Sequence, residues 1–394
     1  MDNISLVILV GGLGSRIKLL EKNTPKPLIK FKNKPFLDII LNFYSKFNFK
    51  EIFLLAGYKS YVFKKRYHNK TKNLIPIKVI VEKKKLGSGG ALLQLKKKIK
   101  NNFVLINGDT YFEVNIIDLI KKIDKKKIAN ICLVKNTNYL SNKKLSNLFL
   151  DKKNNLIFKN KSKWMSSGVL YFKKEIFKHF PNKKQFSLED VLIPKLIEKK
   201  LIAATKNTGF FIDIGTTKNY KFAKKNLHNI LKKPAIFFDR DGVINYDNGY
   251  TYKIKDFKFK PNVIKALKII QRRGYYIFLV TNQAGIAKGK FTIKEFFNLQ
   301  MYIKKHLSKK NIFINDLRYC PYHPDAIIKK FKKNSQYRKP GNLMIESIFK
   351  NWYVDRNKSL MIGDMIKDKK AANKSKIRFF YAENNLYNQL KKII

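Results

Sequence analysis

The stretch Pro234-Ala235-Ile236-Phe237-Phe238-Asp239-Arg240-Asp241-Gly242-Val243-Ile244-Asn245 decides how this chain is read. An apolar run of Ala, Ile and two Phe ends in Asp-Arg-Asp-Gly. That is the pattern of a buried strand delivering two carboxylates to its C-terminal tip. Asp239 and Asp241 are two positions apart, so on an extended backbone both point to one side. Open α/β sheets carry their chemistry at that edge. A solvated turn also favours Asp and Gly, for backbone reasons alone, so the stretch needs company before it is read as a site. It divides the sequence as well: residues 1–230 read as one domain and 231–394 as another.

The composition allows this. A length of 394 residues suits two or three domains, and 44% apolar residues suffice for real cores. Two cysteines, Cys132 and Cys320, exclude a disulfide framework and point to a reducing compartment. The start has no basic segment before its short apolar run, and no apolar run approaches the ~18 residues of a membrane span. The chain is expected in the cytoplasm. A net charge of +58 invites a nucleic-acid or membrane partner. Yet of 85 basic residues only nine are Arg, leaving 76 Lys, scattered over both halves rather than gathered in one stripe. They read as solvated faces, so neither nucleic acid nor membrane is expected as a partner. Some of that charge still favours anionic substrates.

In the first half, Leu6–Val10 reads as a strand running into Gly11-Gly12-Leu13-Gly14-Ser15-Arg16, with Pro25-Lys26-Pro27 downstream. Glycines let backbone N–H groups approach phosphate oxygens, and Arg16 and Lys26 can neutralise them. The spacing is neither the dinucleotide fingerprint nor a P-loop. It resembles the sugar-1-phosphate nucleotidyltransferases. That resemblance extends through Glu82 and the glycine loop Leu86-Gly87-Ser88-Gly89-Gly90-Ala91, Asn107-Gly108-Asp109-Thr110, Ser167-Gly168-Val169, Phe186–Asp190 and Phe211–Thr216. It implies a nucleotide cradle at Gly11, Gly12, Gly14, Ser15 and Gly87, and sugar contacts at Glu189. It also implies a Mg²⁺ ion held by Asp109 and Asp213. Such an enzyme joins a sugar 1-phosphate to the α-phosphorus of a nucleoside triphosphate. The nucleophile needs no base, so positioning and charge neutralisation suffice. Leu28–Phe31, Lys34–Leu37 and Gly87–Gly90 most resemble the D-glycero-D-manno-heptose 1-phosphate guanylyltransferases. GTP is therefore the expected nucleotide, with mannose and glucose 1-phosphate enzymes as alternatives.

A short polar connector, Asn226–Lys233, is expected between the halves. In the second half the opening stretch gains partners. Strand Tyr276–Val280 ends in Thr281-Asn282-Gln283, Arg338-Lys339-Pro340 follows, and strand Ser359–Ile362 ends in Gly363-Asp364, with Asp368 four residues on. Together these resemble the four motifs of the haloacid-dehalogenase-like phosphatases. The resemblance implies that Asp239 attacks phosphorus and Asp241 serves as acid and then base. Thr281 and Lys339 would hold the phosphoryl oxygens, and Asp364 would complete a Mg²⁺ site with Asp239 and the carbonyl of Asp241. Asp247, Gly249-Tyr250, Thr281–Ala287 and Cys320-Pro321-Tyr322-His323-Pro324 resemble the D-glycero-D-manno-heptose 1,7-bisphosphate 7-phosphatases, with histidinol-phosphate phosphatases as the alternative. Many members carry a zinc loop. Here Cys320 remains, but Tyr322, Ser335 and Tyr337 stand where the other three ligands belong. One thiol does not make a four-ligand site, so no structural zinc is expected.

The expected fold is α/β in both domains: a nucleotidyltransferase Rossmann-like domain and a haloacid-dehalogenase-like Rossmannoid domain. Each is a mainly parallel sheet flanked by helices. The expected partners are a nucleoside triphosphate and heptose phosphates. A homo-oligomer stays open.

Overall fold

The computed structural model describes residues 3–12, 21, 23–135, 148–152, 155–159 and 162–394. They form two compact units, Met1–Phe43 with Phe49–His228, and Tyr44–Asn48 with Asn229–Ile394.

The first unit is built on a mixed sheet. Strand Ser5–Leu9 lies between Ile52–Ala56 and Phe103–Asn107, parallel to both, and Ile75–Val81 pairs in parallel beyond Ile52–Ala56. Ser5–Leu9, Ile52–Ala56 and Phe103–Asn107 are nearly continuous buried apolar runs, as strands inside a parallel sheet are, whereas Ile75–Val81 alternates buried and exposed residues. Strand Trp164–Phe172 runs antiparallel to Phe103–Asn107 and extends the sheet on the other side. Its register against Ala129–Lys135 shifts between Ser166 and Leu170. Gly168 sits in that shift at φ +76°, and a side chain there would meet the Asn107 amide at 2.6 Å. A bulge of this kind re-aims a strand next to a site. A separate pair, Thr110–Phe112 with Phe211–Asp213, sets Asp213 opposite Thr110.

The second unit carries five parallel strands in the order Asp316–Cys320, Tyr276–Asn282, Ala235–Phe238, Leu360–Gly363, Arg378–Tyr381. The opening stretch therefore supplies the central strand, and all four of its residues are buried. Thr281 is the second-last residue of the neighbouring strand on one side, and Asp364 follows the neighbouring strand on the other. All the expected carboxylates of this half thus leave the sheet at one edge.

One expectation fails. Asn226–Leu231 is not a connector but the end of helix Thr217–Leu231. Ala223, Leu227 and Leu231 recur every fourth residue and are buried. This stripe of helical period outweighs the polar residues between them.

Candidate functional site

In the first unit, a cavity of about 290 Å³ opens at the C-terminal end of the parallel strands. Val10, Gly11, Gly12, Lys26, Glu82, Gly87, Ser88, Asn107 and Asp109 are among its lining residues. Gly11 is required by packing: a side chain there would meet Glu82 Oε1 at 2.7 Å and the Gly57 nitrogen at 2.8 Å. Gly14, Ser15 and Arg16 lie outside the described residues. Burial pushes the Glu82 carboxyl upward, opposed by a hydrogen bond from the Leu86 backbone.

Lys26 Nζ donates to Asp109 Oδ2 at 2.9 Å. Asp213 accepts from the Gly215 N–H at 2.7 Å and from the Thr110 hydroxyl at 3.0 Å. The two carboxylates come together around Gly215, where an added Cβ would lie 2.5 Å from Asp213 Oδ1 and 3.6 Å from Asp109 Oδ2. Gly215 thus leaves no room for a side chain between them, and the two carboxylates offer the oxygen donors that a hard divalent cation takes. The two residues are far apart in sequence. They meet because Ile214 N–H donates to the Asp109 carbonyl, extending the strand pair.

The expected second glycine loop is instead the start of a short helix, Gly87–Leu93. Its glycines serve contact. Gly87 has φ +73°, and a side chain there would meet the Phe186 carbonyl at 2.5 Å. At Gly89 it would collide with the Phe186 ring. The Ser88 hydroxyl then donates to Glu189 Oε2 at 2.7 Å and accepts from Leu188 N–H at 2.8 Å. Ser187 donates to the same Glu189 oxygen at 3.1 Å. Glu189 is thus held by two hydroxyls beside a cavity-lining residue. Nothing in the spacing of Ser88 and Glu189 announced that contact.

In the second unit a cavity of about 300 Å³ lies over the edge of the sheet. Its lining includes Asp239, Asp241, Tyr250, Gln283, Arg338 and Asp364. Asp239 is buried, and its backbone N–H still continues the ladder to Ile362. Lys339 Nζ sits 2.7 Å from Asp239 Oδ2 and 2.6 Å from Asp368 Oδ1, with all three side chains almost fully enclosed. Burial alone would pull the Lys339 ammonium down, but the two carboxylates outweigh it and hold it above its ordinary value. Burial pushes the Asp239 carboxyl up, against the pull of Lys339 and with the repulsion of Asp368. Asp364 is likewise raised, by burial first and then by Asp368.

Oxygens of Asp239, Asp364 and Asp368 lie within 4.8 Å of one another. Such a set of oxygen donors fits a hard divalent cation. It contains Asp239 and Asp364 of the expected set, in which Asp241 was to serve through its backbone carbonyl, and it adds Asp368. Gly242 is indispensable here. It has φ +79°, and any side chain would collide with the Asp364 carboxylate.

Asp241 is engaged by its neighbours. Arg240, fully buried, donates from Nε and Nη2 to Oδ1 at 3.0 and 2.8 Å, and from Nη2 to Oδ2 at 2.8 Å. Asn245 Nδ2 donates to Oδ1 at 3.0 Å, and Gln283 Nε2 to Oδ2 at 2.9 Å. Asn282 clamps the backbone of Lys339 from both sides. Its amide donates to the Lys339 carbonyl, and its oxygen accepts from the Lys339 N–H, each at 3.0 Å. Arg240, Asn245, Asn282 and Gln283 sit inside motifs that the sequence exposes; Arg240 and Asn245 meet Asp241 within their own turn, whereas Asn282 reaches Lys339 and Gln283 reaches Asp241 from distant segments, so residue type alone gave them no roles.

The loop after strand Asp316–Cys320 has an apolar solution. Cys320 is buried in a cluster with Met344, Ile348 and Trp352, with Tyr322 and Tyr337 packed against it. Burial raises the Cys320 thiol, which disfavours the thiolate that zinc binding needs. His323 Nδ1 accepts from the Asp325 N–H at 3.1 Å. Purified protein is therefore expected to hold well under one zinc per chain. Cys320→Ser is expected to keep phosphatase activity within about threefold, because no metal is lost. Elemental analysis finding one zinc that disappears in Cys320→Ser would contradict this.

Comparison with known proteins finds matches in both halves of the chain. Residues 5–145 match the family described as Nucleotidyl transferase, and residues 234–387 match the family described as Polynucleotide kinase 3 phosphatase. The D-glycero-beta-D-manno-heptose-1,7-bisphosphate 7-phosphatase of Photorhabdus laumondii is 40% identical over 144 residues, which cover 36% of this chain and 77% of the relative. That of Escherichia coli strain K12 is 38% identical over 139 residues, covering 35% and 73%. The crystal structure of HddC from Yersinia pseudotuberculosis overlays with a TM-score of 0.49 at 27% identity, covering 57% of this chain and 99% of that one. The chain thus joins a nucleotidyl transferase domain to a phosphatase domain, and through the second it belongs to the family of the D-glycero-beta-D-manno-heptose-1,7-bisphosphate 7-phosphatases.

Proposed function

We propose that this bifunctional enzyme makes a nucleotide-activated heptose. The phosphatase domain, residues 231–394, removes the 7-phosphate of D-glycero-D-manno-heptose 1,7-bisphosphate. The transferase domain, residues 1–230, then joins the resulting heptose 1-phosphate to GMP from GTP and releases pyrophosphate. One observation carries this reading: a chain with the bisphosphatase fold and family also holds a nucleotidyl transferase cavity, and the product of the first reaction is the kind of substrate the second consumes.

In the phosphatase, Asp239 attacks the 7-phosphorus while Asp241 gives a proton to the departing sugar oxygen. Asp241 then takes a proton from the water that hydrolyses the aspartyl phosphate. Lys339 and Thr281 offset charge on the phosphoryl oxygens. In the transferase, Lys26, Arg16 and the N–H groups of Gly11, Gly12, Gly14 and Ser15 hold the triphosphate. Gly87 keeps the wall close, and Glu189 accepts hydrogen bonds from sugar hydroxyls. Asp109 with Asp213, and Asp239 with Asp364, the Asp241 carbonyl and Asp368, would each hold Mg²⁺. Bound there, the ion neutralises phosphate charge. Among the described residues, no helix is long and apolar enough to cross a membrane. The enzyme acts in the cytoplasm, where nucleoside triphosphates are available.

The assay supplies heptose 1,7-bisphosphate, Mg²⁺ and one nucleoside triphosphate at a time, and identifies the products. GDP-heptose, phosphate and pyrophosphate are the expected result. Turnover with GTP is expected to exceed that with ATP by at least about tenfold, roughly the discrimination of 1.4 kcal/mol in binding. Faster turnover with ATP overturns the guanylyl assignment. A hexose 1-phosphate used in preference to the heptose overturns the sugar.

A further inference from the structure

We infer that Gln283 is a positioning residue of the phosphatase, setting the acid–base carboxylate and the phosphoryl-binding hydroxyl with one side-chain amide. The inference rests on the roles proposed above for Asp241 and Thr281. Gln283 follows strand Tyr276–Asn282, is 4% exposed and lines the cavity. Its Nε2 lies 2.9 Å from Asp241 Oδ2 and 2.9 Å from Thr281 Oγ1. Both contacts are made from Nε2, the donor end of the amide, while Asp241 Oδ1 accepts from Arg240 Nη2 at 2.8 Å. One N–H goes to Asp241 and the other to Thr281.

This has a consequence for each partner. The Thr281 oxygen is occupied as an acceptor, so its single O–H proton remains to be donated, and a phosphoryl oxygen is the acceptor chemistry supplies. Asp241 is fixed from the strand side by Gln283 and from its own turn by Arg240 and Asn245. When Asp241 takes a proton from the water that hydrolyses the aspartyl phosphate, the oxygen that accepts it is thereby held in a set position. Burial makes the geometry stiff, since an amide that lost either partner here would leave a polar group unsatisfied.

The test compares Gln283→Met and Gln283→Glu, each alone and combined with Asp241→Asn or Thr281→Val, on heptose 1,7-bisphosphate. Gln283→Met keeps the length and loses both donors. We expect kcat to fall by roughly 10- to 100-fold, within the range of a misplaced general acid, with KM within about threefold and the melting temperature nearly unchanged. Gln283→Glu, of the same shape, is not expected to restore activity, because it offers no amide donors and turns a carboxyl toward Asp241. In the Asp241→Asn and Thr281→Val backgrounds the Gln283→Met penalty should shrink by at least about threefold, as coupled residues do. An undiminished penalty in both backgrounds, a loss confined to KM or melting temperature, or near-full activity in Gln283→Glu overturns the link. Full activity in Asp241→Asn alone overturns the acid–base assignment itself, and the link with it.

Discussion

Asp239→Asn should abolish release of phosphate from the bisphosphate, by on the order of 10⁴-fold or more, while transfer of GMP to supplied heptose 1-phosphate continues unchanged. The amide is nearly isosteric but cannot form an aspartyl phosphate, and losing a nucleophile removes the whole covalent route. The unit that holds Asp239 is compact and separate in sequence from the residues around Asp109 and Asp213. The mirror variant, Asp109→Asn, removes one carboxylate from the transferase pair and should reverse the pattern. With the bisphosphate as the sole sugar, neither variant alone makes nucleotide sugar, whereas a mixture recovers it after a lag that shortens as enzyme is added. If folded Asp239→Asn also fails to transfer GMP to heptose 1-phosphate, the two chemistries are not separable.

The second large effect is on stability. Lys339→Met takes away the cation between Asp239 and Asp368 and leaves two enclosed carboxylates facing each other. Removing one partner of a buried ion pair costs about 3–5 kcal/mol, and two unit charges 4 Å apart repel by about 4 kcal/mol at an effective dielectric of 20. A loss of about that size is expected in urea unfolding of the C-terminal unit. In a Trp164→Phe background Trp352 is the remaining tryptophan and reports that unit from its core. Mg²⁺ should raise the stability of Lys339→Met more than that of the parent, since a cation can replace the ammonium among three carboxylates. Phosphatase activity should fall with the nucleophile's environment, and Lys339→Arg should not restore it, because a planar guanidinium does not fit an enclosed ammonium site. An unfolding midpoint unmoved by Lys339→Met would show that the pair carries no stability.

Much of this was legible along the chain, and the reason is local. Ala235–Phe238 is apolar at every position because both faces of a parallel strand are covered, and Asp239 follows because the sheet edge is where the chain turns out of the core. Gly242 is glycine because its own φ is positive and Asp364 crowds its Cα. Each of these demands acts within a few residues and leaves its mark in residue type. The contacts that complete the sites do not. Lys339 reaches Asp239 and Asp368, Ser88 reaches Glu189 across 101 positions, and Gln283 reaches Asp241 across 42. Asp368 stood in the last motif with no role assigned to it until folding enclosed it with Lys339. The tyrosines where zinc ligands were missing became legible as packing only when Cys320 was seen inside an apolar cluster. Strand order brings these partners together, and which polar groups meet across it depends on distances between distant segments, which no periodicity in the sequence encodes.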